Sequence, residues 1–288
     1  MLDCTQWQCR PVQLEDRSAV EAIRARAGHQ ISAHAFTSLF LWQKVMGLSI
    51  CLREDAFFVR FEQRGENAWF YPCGSEEEQV RFLQWGLKTP DFSLHYMRQE
   101  DVEFVQEHFP GKFRFEEARG DSEYICDRQA QVEMPGKTFR NLRAKVRKSQ
   151  KKADWFIKPI TENNKEIAVQ IVQNWENLRA DLGDGGVAIS GLQYFDELGF
   201  QGILLYDAEG AEALAYGAMI ADGVFDLHVT KTLLPNIDSY LKWELYRRLD
   251  ENVRWINQEE DLNLFGLRTN KMESIPDHMI PLWKGELV

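Results

Sequence analysis

A chain of 288 residues with 44% hydrophobic residues, 12% aromatics, 19 Gly and 9 Pro can bury a sizeable core, which excludes disordered, collagen-like and coiled-coil classes. Its 45 acidic and 34 basic residues leave a net charge of −11, which argues against coating nucleic acid by bulk charge. The positive charge is unevenly placed: eight basic residues and no acidic one lie between Lys137 and Lys152, so −11 is the balance of +8 there and −19 elsewhere.

The opening stretch MLDCTQWQCRPVQLED has no apolar run suited to a signal peptide, and no window approaches the roughly 18 apolar residues of a membrane span. A cytoplasmic location is expected, with any membrane contact peripheral. Cys4, Cys9, Cys51, Cys73 and Cys126 form no CxxC pair and are expected as reduced thiols. The six His are scattered, with His29 and His34 five apart, so no metal is expected. GxGxxG, the phosphate-binding Walker loop and GxSxG are absent.

In the first half, QCRPVQL reads as a strand, DRSAVEAIRARA and SLFLWQKVMG as helices, and LSICLRED as a strand. AFFVRFEQ and NAWFYP then form a hairpin across Gly65, followed by helix EEEQVRFLQWGLK, strand FSLHYM, helix DVEFVQEHF and strand KFRFEEAR. In the second half, WFIKPI alternates like a strand and KEIAVQIVQNWENLRADL spaces Ile167, Ile171, Trp175 and Leu178 at helical intervals, with a second helix at GLQYFDELG. Three strands follow, GILLYD, EALAYGAMIAD and VFDLHVTKTL, separated by turns at AEG and ADG. SYLKWELYRRLDENV reads as a helix, RWINQEE as a strand, FGLRTNKMES as a helix ended by Pro276, and MIPLWKGEL as a last strand. The same order of elements thus occurs twice, which favours an α+β chain of two similar domains, 1–130 and 154–288, joined by a basic helix at 131–153.

Three stretches carry a family resemblance: MPGKTFRNLRAKVRK (Met134 to Lys148), HVTKTLLPNIDSY (His228 to Tyr240) and WINQEEDLNLFGLRTNKMES (Trp255 to Ser274). They resemble a bacterial family of tandem GNAT (acyl-CoA N-acyltransferase) proteins grouped with the C-terminal domain of phosphatidylglycerol lysyltransferase. That family is more distantly similar to Fem-type aminoacyl-tRNA-dependent ligases. The resemblance implies two tandem GNAT-like domains, acyl or aminoacyl transfer, and acyl-CoA or aminoacyl-tRNA as donor. This chain departs from the pattern in having Gln258 for Arg, Thr230 and Thr232 for Glu and Ala around Lys231, and Asp238-Ser239 for Gly-Ala before Tyr240. A Gly loop at that last place gives backbone N–H groups to the CoA pyrophosphate in ordinary GNAT enzymes. Asp238 puts a negative charge there and is expected as a helix N-cap.

The basic segment can form a helix with Phe139, Leu142 and Val146 on one face, and Arg140, Arg143, Arg147 and Lys151 on another. With Lys137, this row suits the phosphates of RNA, a lipid head group or a nucleotide, because guanidinium groups engage phosphate oxygens bidentately. Pairing with the acidic remainder of the chain explains it equally well. In INQEED, strand alternation sets Asn257, Glu259 and Asp261 on one side and Gln258 and Glu260 on the other. Glu259 or Glu260 is the candidate base for amine or hydroxyl acylation. Arg268 and Lys271 would hold an anionic substrate group, or else pair with these carboxylates. His228 is a candidate proton relay or a core residue, Lys231 and Asn257 candidate substrate contacts, and Tyr240 a candidate acid for the leaving group or a packing residue. The nine Trp, including Trp42, Trp175, Trp243 and Trp283, read as core anchors.

Two functions remain in play. One is an acyl- or aminoacyltransferase acting on an amine or hydroxyl, with tRNA or an anionic lipid head group meeting the basic helix. The other is a catalytically inactive GNAT-like module that binds a small anionic ligand or a protein partner.

Overall fold

The computed structural model describes residues 7–178 and 185–288. Helices α1 (Arg17–Arg26) and α2 (Phe36–Met46) lead into strands β1 (Leu48–Leu52), β2 (Ala56–Phe61), β3 (Ala68–Phe70) and β4 (Cys73–Gly74). Helix α3 (Glu76–Gly86), β5 (Ser93–Met97), α4 (Gln99–His108) and β6 (Phe113–Glu117) follow. Next come β7 (Glu123–Asp127), α5 (Arg128–Glu133), α6 (Arg140–Gln150), β8 (Phe156–Pro159), α7 (Lys165–Leu178) and α8 (Gly185–Gln193). The chain continues through β9 (Gln201–Tyr206), β10 (Ala211–Ala221), β11 (Val224–Thr232), α9 (Asp238–Tyr246), β12 (Trp255–Asn257), α10 (Phe265–Glu273), β13 (His278–Ile280) and β14 (Trp283–Leu287).

Two mixed sheets organise these elements, one in the order β1-β2-β3-β5-β14-β6 with β4 beside β2, the other β13-β7-β12-β11-β10-β9-β8. The chain divides into two compact units, Met1–Glu123 with Glu260–Leu264 and Met279–Val288, and Tyr124–Glu259 with Phe265–His278. This differs from a simple cut near residues 130 and 153. Strand β7 pairs with β12 in the second sheet, while β14 lies between β5 and β6 in the first. The run MIPLWKGEL is accordingly two strands in two sheets, parted at Pro281, which has no N–H to give a ladder.

In the first unit Trp7, Phe58, Trp69, Phe82 and Phe92 form one buried cluster, with Trp85 and Trp283 packed against it. The expected strand QCRPVQL is reduced to a single bridge, in which Arg10 and Ile50 exchange backbone hydrogen bonds of 3.0 and 2.7 Å. Pro11 follows at once and cannot donate. Helix α2 stops at Gly47, whose φ of 64° is the left-handed conformation that favours glycine.

In the second unit the amphipathic pattern of the basic segment is realised. Leu142 and Val146 of α6 join Phe139, Phe225, Leu227, Tyr240 and Leu241 in one core cluster. The segment is therefore an integral helix of this unit rather than a free connection. Helix α8 begins six residues before the expected GLQYFDELG, and Tyr194–Gly199 forms turns. Gly191 lies inside α8 because a Cβ there would fall 2.5 Å from the Tyr216 hydroxyl, which donates to the Ala188 carbonyl at 2.6 Å. The expected continuation of α7 over Arg179–Leu182 lies outside the described residues. Cys9, Cys51, Cys73 and Cys126 are free thiols.

Candidate functional site

Strand β11 runs antiparallel to β10 and parallel to β12, and the two contacts shape its middle. Tyr216 pairs with Val229 and Ala218 with Asp226, so two steps along β10 match three along β11 and the extra residue lies at Leu227–His228. Such a bulge re-aims a side chain. Across it β10 comes so close that a Cβ on Gly217 would sit 1.9 Å from the Asp226 carbonyl oxygen, hence glycine. On the other side, the parallel register with β12 ends at Asp226↔Asn257, while β11 continues to Thr232. The pairing of β11 with β12 therefore stops at the carboxyl end of β12, the place where parallel strands present functional groups.

The chain turns sharply there. The Asn257 side-chain oxygen accepts the Glu259 N–H at 2.7 Å, and Glu259 has a φ of 58°. A left-handed non-glycine residue of this kind is held by its surroundings. Gln258 N–H donates to the Tyr124 carbonyl, Tyr124 N–H to the Glu259 carbonyl, and Lys271 Nζ to the Gln258 carbonyl. Asn257, Gln258 and Lys271 are all buried.

This turn carries Glu259 to β11. His228 Nδ1 lies 2.5 Å from Glu259 Oε1 and 3.5 Å from Asp226 Oδ2. The side chains of Asp226, His228 and Glu259 are 1%, 3% and 19% exposed, so the row rises from the core towards Glu259. His228 Nε2 is buried with no hydrogen-bond partner, and its ring packs on Phe200 at 5.3 Å. The three donor atoms lie within 4.8 Å of one another, a metal-compatible cluster where the sequence suggested none. Spacing along the chain misses it because Glu259 reaches His228 only through the β11–β12 pairing. Asp226 was missed too, though its place two residues before His228 on a strand was the available signal.

The alternation expected through INQEED fails after Asn257, because β12 ends there and left-handed Glu259 redirects the backbone. Glu259 belongs to the second unit and Glu260 and Asp261 to the first. Asp261 is buried on Arg119 at 3.1 Å, and Glu260 adds to the charges that, after burial, raise the Tyr96 hydroxyl well above its ordinary pKa. Lys271 Nζ donates to the Gln258 carbonyl, and Arg268 lies half-buried on α10. Lys231 is buried with Nζ 3.6 Å from the centre of the Trp175 ring. Tyr240 is placed in the apolar cluster with Phe225 and Leu227 and stacks on Trp243, and burial pushes its hydroxyl far up.

Asp238 is the first residue of α9, not its N-cap, which is Ile237. Its carboxylate accepts from Asn270 Nδ2 at 2.7 Å, and Asn270 Oδ1 accepts from Lys242 Nζ at 2.7 Å. Burial lowers the Lys242 pKa, partly offset by Asp238.

On α6, Arg143 donates to the carbonyls of Met134 and Gly136, and Lys145 pairs with Glu273 at 2.6 Å. Lys137, Arg140, Arg147, Lys148 and Lys151 are exposed, and among the described residues no ion pair involves them. Self-pairing thus accounts for Lys145 alone, and the basic face remains presented to solvent. None of the described helices is long and apolar enough to cross a membrane.

The chain is similar over its whole length to several solved structures. A conserved protein of unknown function from Bacteroides thetaiotaomicron matches with a TM-score of 0.89 and 22% identity, over 97% of this chain and 99% of the other. L-PGS from Bacillus licheniformis matches at 0.67 and 13% over 94% and 91%, and FemX at 0.65 and 7% over 98% and 97%. The two-unit α+β architecture is that of tandem GNAT proteins. No curated protein sequence matches significantly. The profile of the family described as "Phosphatidylglycerol lysyltransferase, C-terminal" matches residues 24–284, and the chain belongs to that family.

Proposed function

We propose that the second unit transfers an aminoacyl or acyl group to a hydroxyl or amine, with Glu259 as general base. The observation that carries this reading is the 2.5 Å contact between His228 Nδ1 and Glu259 Oε1 at the carboxyl end of β12. One carboxylate oxygen is held by the imidazole, and the Glu259 side chain stays partly exposed. For an ester donor, the acceptor oxygen or nitrogen attacks the carbonyl carbon while its proton passes to Glu259. The donor C–O bond then breaks, and the departing oxygen takes that proton back. His228 orients Glu259, and Asp226 lies beside His228; side-chain exposure rises from Asp226 through His228 to Glu259.

The donor is better served by aminoacyl-tRNA than by acyl-CoA. Asp238 places a carboxylate at the first turn of α9, where it opposes a pyrophosphate, while the exposed cations of α6 suit polynucleotide phosphates. The family name supports a lysyl group as cargo and a phosphatidylglycerol hydroxyl as acceptor.

The test is a transfer assay with radiolabelled aminoacyl-tRNA and acceptor panels of phosphatidylglycerol vesicles, free amines and peptides. Product formation lost in Glu259→Gln at unchanged melting temperature is the expected result. Equal rates in wild type and variant would overturn the assignment of the base.

A further inference from the structure

We infer that Asp226, His228 and Glu259 form a binding site for one divalent transition-metal ion of zinc-like chemistry, and that filling it withdraws Glu259 from proton transfer. The metal site stands on its own geometry; the regulatory half rests on the function proposed above.

Three donors of two kinds converge, a carboxylate oxygen of Asp226, the Nδ1 of His228 and a carboxylate oxygen of Glu259, all within 4.8 Å of one another. Bonds of about 2.0–2.2 Å in a tetrahedral site put donor atoms roughly 3.3–3.5 Å apart. His228 Nδ1 and Asp226 Oδ2 already stand at 3.5 Å. Glu259 Oε1, at 2.5 Å from Nδ1, must draw back by about 1 Å to meet the same spacing. It is the member free to do so, with 19% of its side chain exposed against 1% and 3% for the other two.

An imidazole among the donors selects zinc-like ions over Mg²⁺ or Ca²⁺, which take oxygen shells. The backbone prepares the set at both ends. The bulge at Leu227–His228 turns the imidazole, and the Asn257 side chain fixes the left-handed turn that presents Glu259. Three protein donors would leave a fourth position on a tetrahedral ion for a water or another ligand. An ion there ties up the Glu259 oxygens that accept the acceptor's proton, so loading the site lowers transfer rate without changing the fold.

The experiment uses the full chain stripped with chelator. Zn²⁺ is titrated by calorimetry, and Co²⁺ is followed by its visible absorption, with Mg²⁺ as comparison. Expected are one bound equivalent of Zn²⁺, tetrahedral Co²⁺ bands, and no heat with Mg²⁺. Glu259→Gln and Asp226→Asn should each weaken Zn²⁺ binding by at least about tenfold, since even losing a group that only orients a ligand costs that much. Glu259→Gln changes a partly exposed side chain and provides the folded variant if Asp226→Asn does not fold. Absence of stoichiometric binding overturns the site, as does wild-type affinity in Glu259→Gln, which would put the ion on other His or Cys side chains. In the transfer assay, Zn²⁺ should inhibit and chelator should restore the rate. Metal binding without any transfer activity would defeat the proposed function and leave the site standing; transfer without metal binding would do the reverse.

Discussion

Glu259 lies 2.5 Å from the imidazole of His228, a residue 31 positions earlier, because a short parallel pairing of β12 with β11 ends just before both side chains. The contact joins a left-handed turn to a bulged strand, two irregular features that cost stability and are held in place by the structure around them. Removing the carboxylate should therefore change chemistry more than folding. Glu259→Gln is expected to lower transfer by about 10²–10⁴-fold, the usual contribution of a positioned base. Steady-state rates measured beside thermal melts check this, and a rate within twofold of wild type would exclude the role.

Gly217 tests the backbone beneath the site. Alanine there would bring a Cβ 1.9 Å from the Asp226 carbonyl, against backbone that cannot step aside like a side chain. Gly217→Ala should destabilise by about 1–3 kcal/mol or more, as overpacking does. Gly186→Ala is the control, since a Cβ there meets nothing within 4 Å and α8 gains helix propensity. Urea unfolding of the two variants should separate them; equal midpoints would show that the β10–β11 approach relaxes freely.

Acid should loosen the first unit through its histidines. Burial lowers the pKa of His34 from 6.5 to about 3, its ring donating to the Tyr71 carbonyl at 2.8 Å, and lowers His95 to about 4. Both stay neutral in the folded chain while the unfolded chain takes up protons below about 6.5. The stability they confer is thus complete above that pH and is lost as the pH falls towards 4 and then 3. The slope reaches up to about 1.4 kcal/mol per pH unit for each histidine. Urea midpoints between pH 7 and 4.5 should fall, and His34→Gln should flatten the curve. Parallel curves for variant and wild type would contradict this.

The basic face of α6 should matter for polyanions and not for folding. Arg140 and Arg147 are exposed, whereas Leu142 and Val146 are buried on the same helix. Replacing both arginines with alanine should leave the melting temperature in place. It should reduce the slope of log affinity for tRNA against log salt by about 1.4–1.8, or 0.7–0.9 for each lost phosphate contact. Leu142→Ala should instead cost about 2–5 kcal/mol of stability. An unchanged salt slope in the double arginine variant would remove α6 from RNA binding.

The periodicities of the sequence anticipated most helices and strands, since Leu142 and Val146 on α6 or the alternation in WFIKPI are local signals. They also singled out Glu259 and His228 separately. What they missed depends on distant partners. Asp226 acquires meaning only once β12 places Glu259 beside β11, and no local pattern announces a parallel pairing. Alternation misplaced Asp261 because one residue with positive φ, Glu259, ends the strand rule. Lys271 donates to the Gln258 carbonyl, a backbone acceptor that side-chain charge does not reveal. The compact units depart from a cut near residue 130 for a similar reason: β7 and β14 have ordinary strand sequences, and nothing within them says which sheet they join.

That exchange of strands also governs when the chain can fold during synthesis. Among the described residues, strand β6 is attached to the first sheet only through β14, which the ribosome makes after every other described strand of both sheets. The first unit therefore emerges with an unfilled slot between β5 and β6, and its edges stay open while the rest is translated. N-terminal-first folding, the usual order for consecutive domains, is blocked by connectivity rather than by stability. The nascent chain must wait with unpaired strand edges, and in that interval it is most exposed to aggregation and most dependent on chaperones.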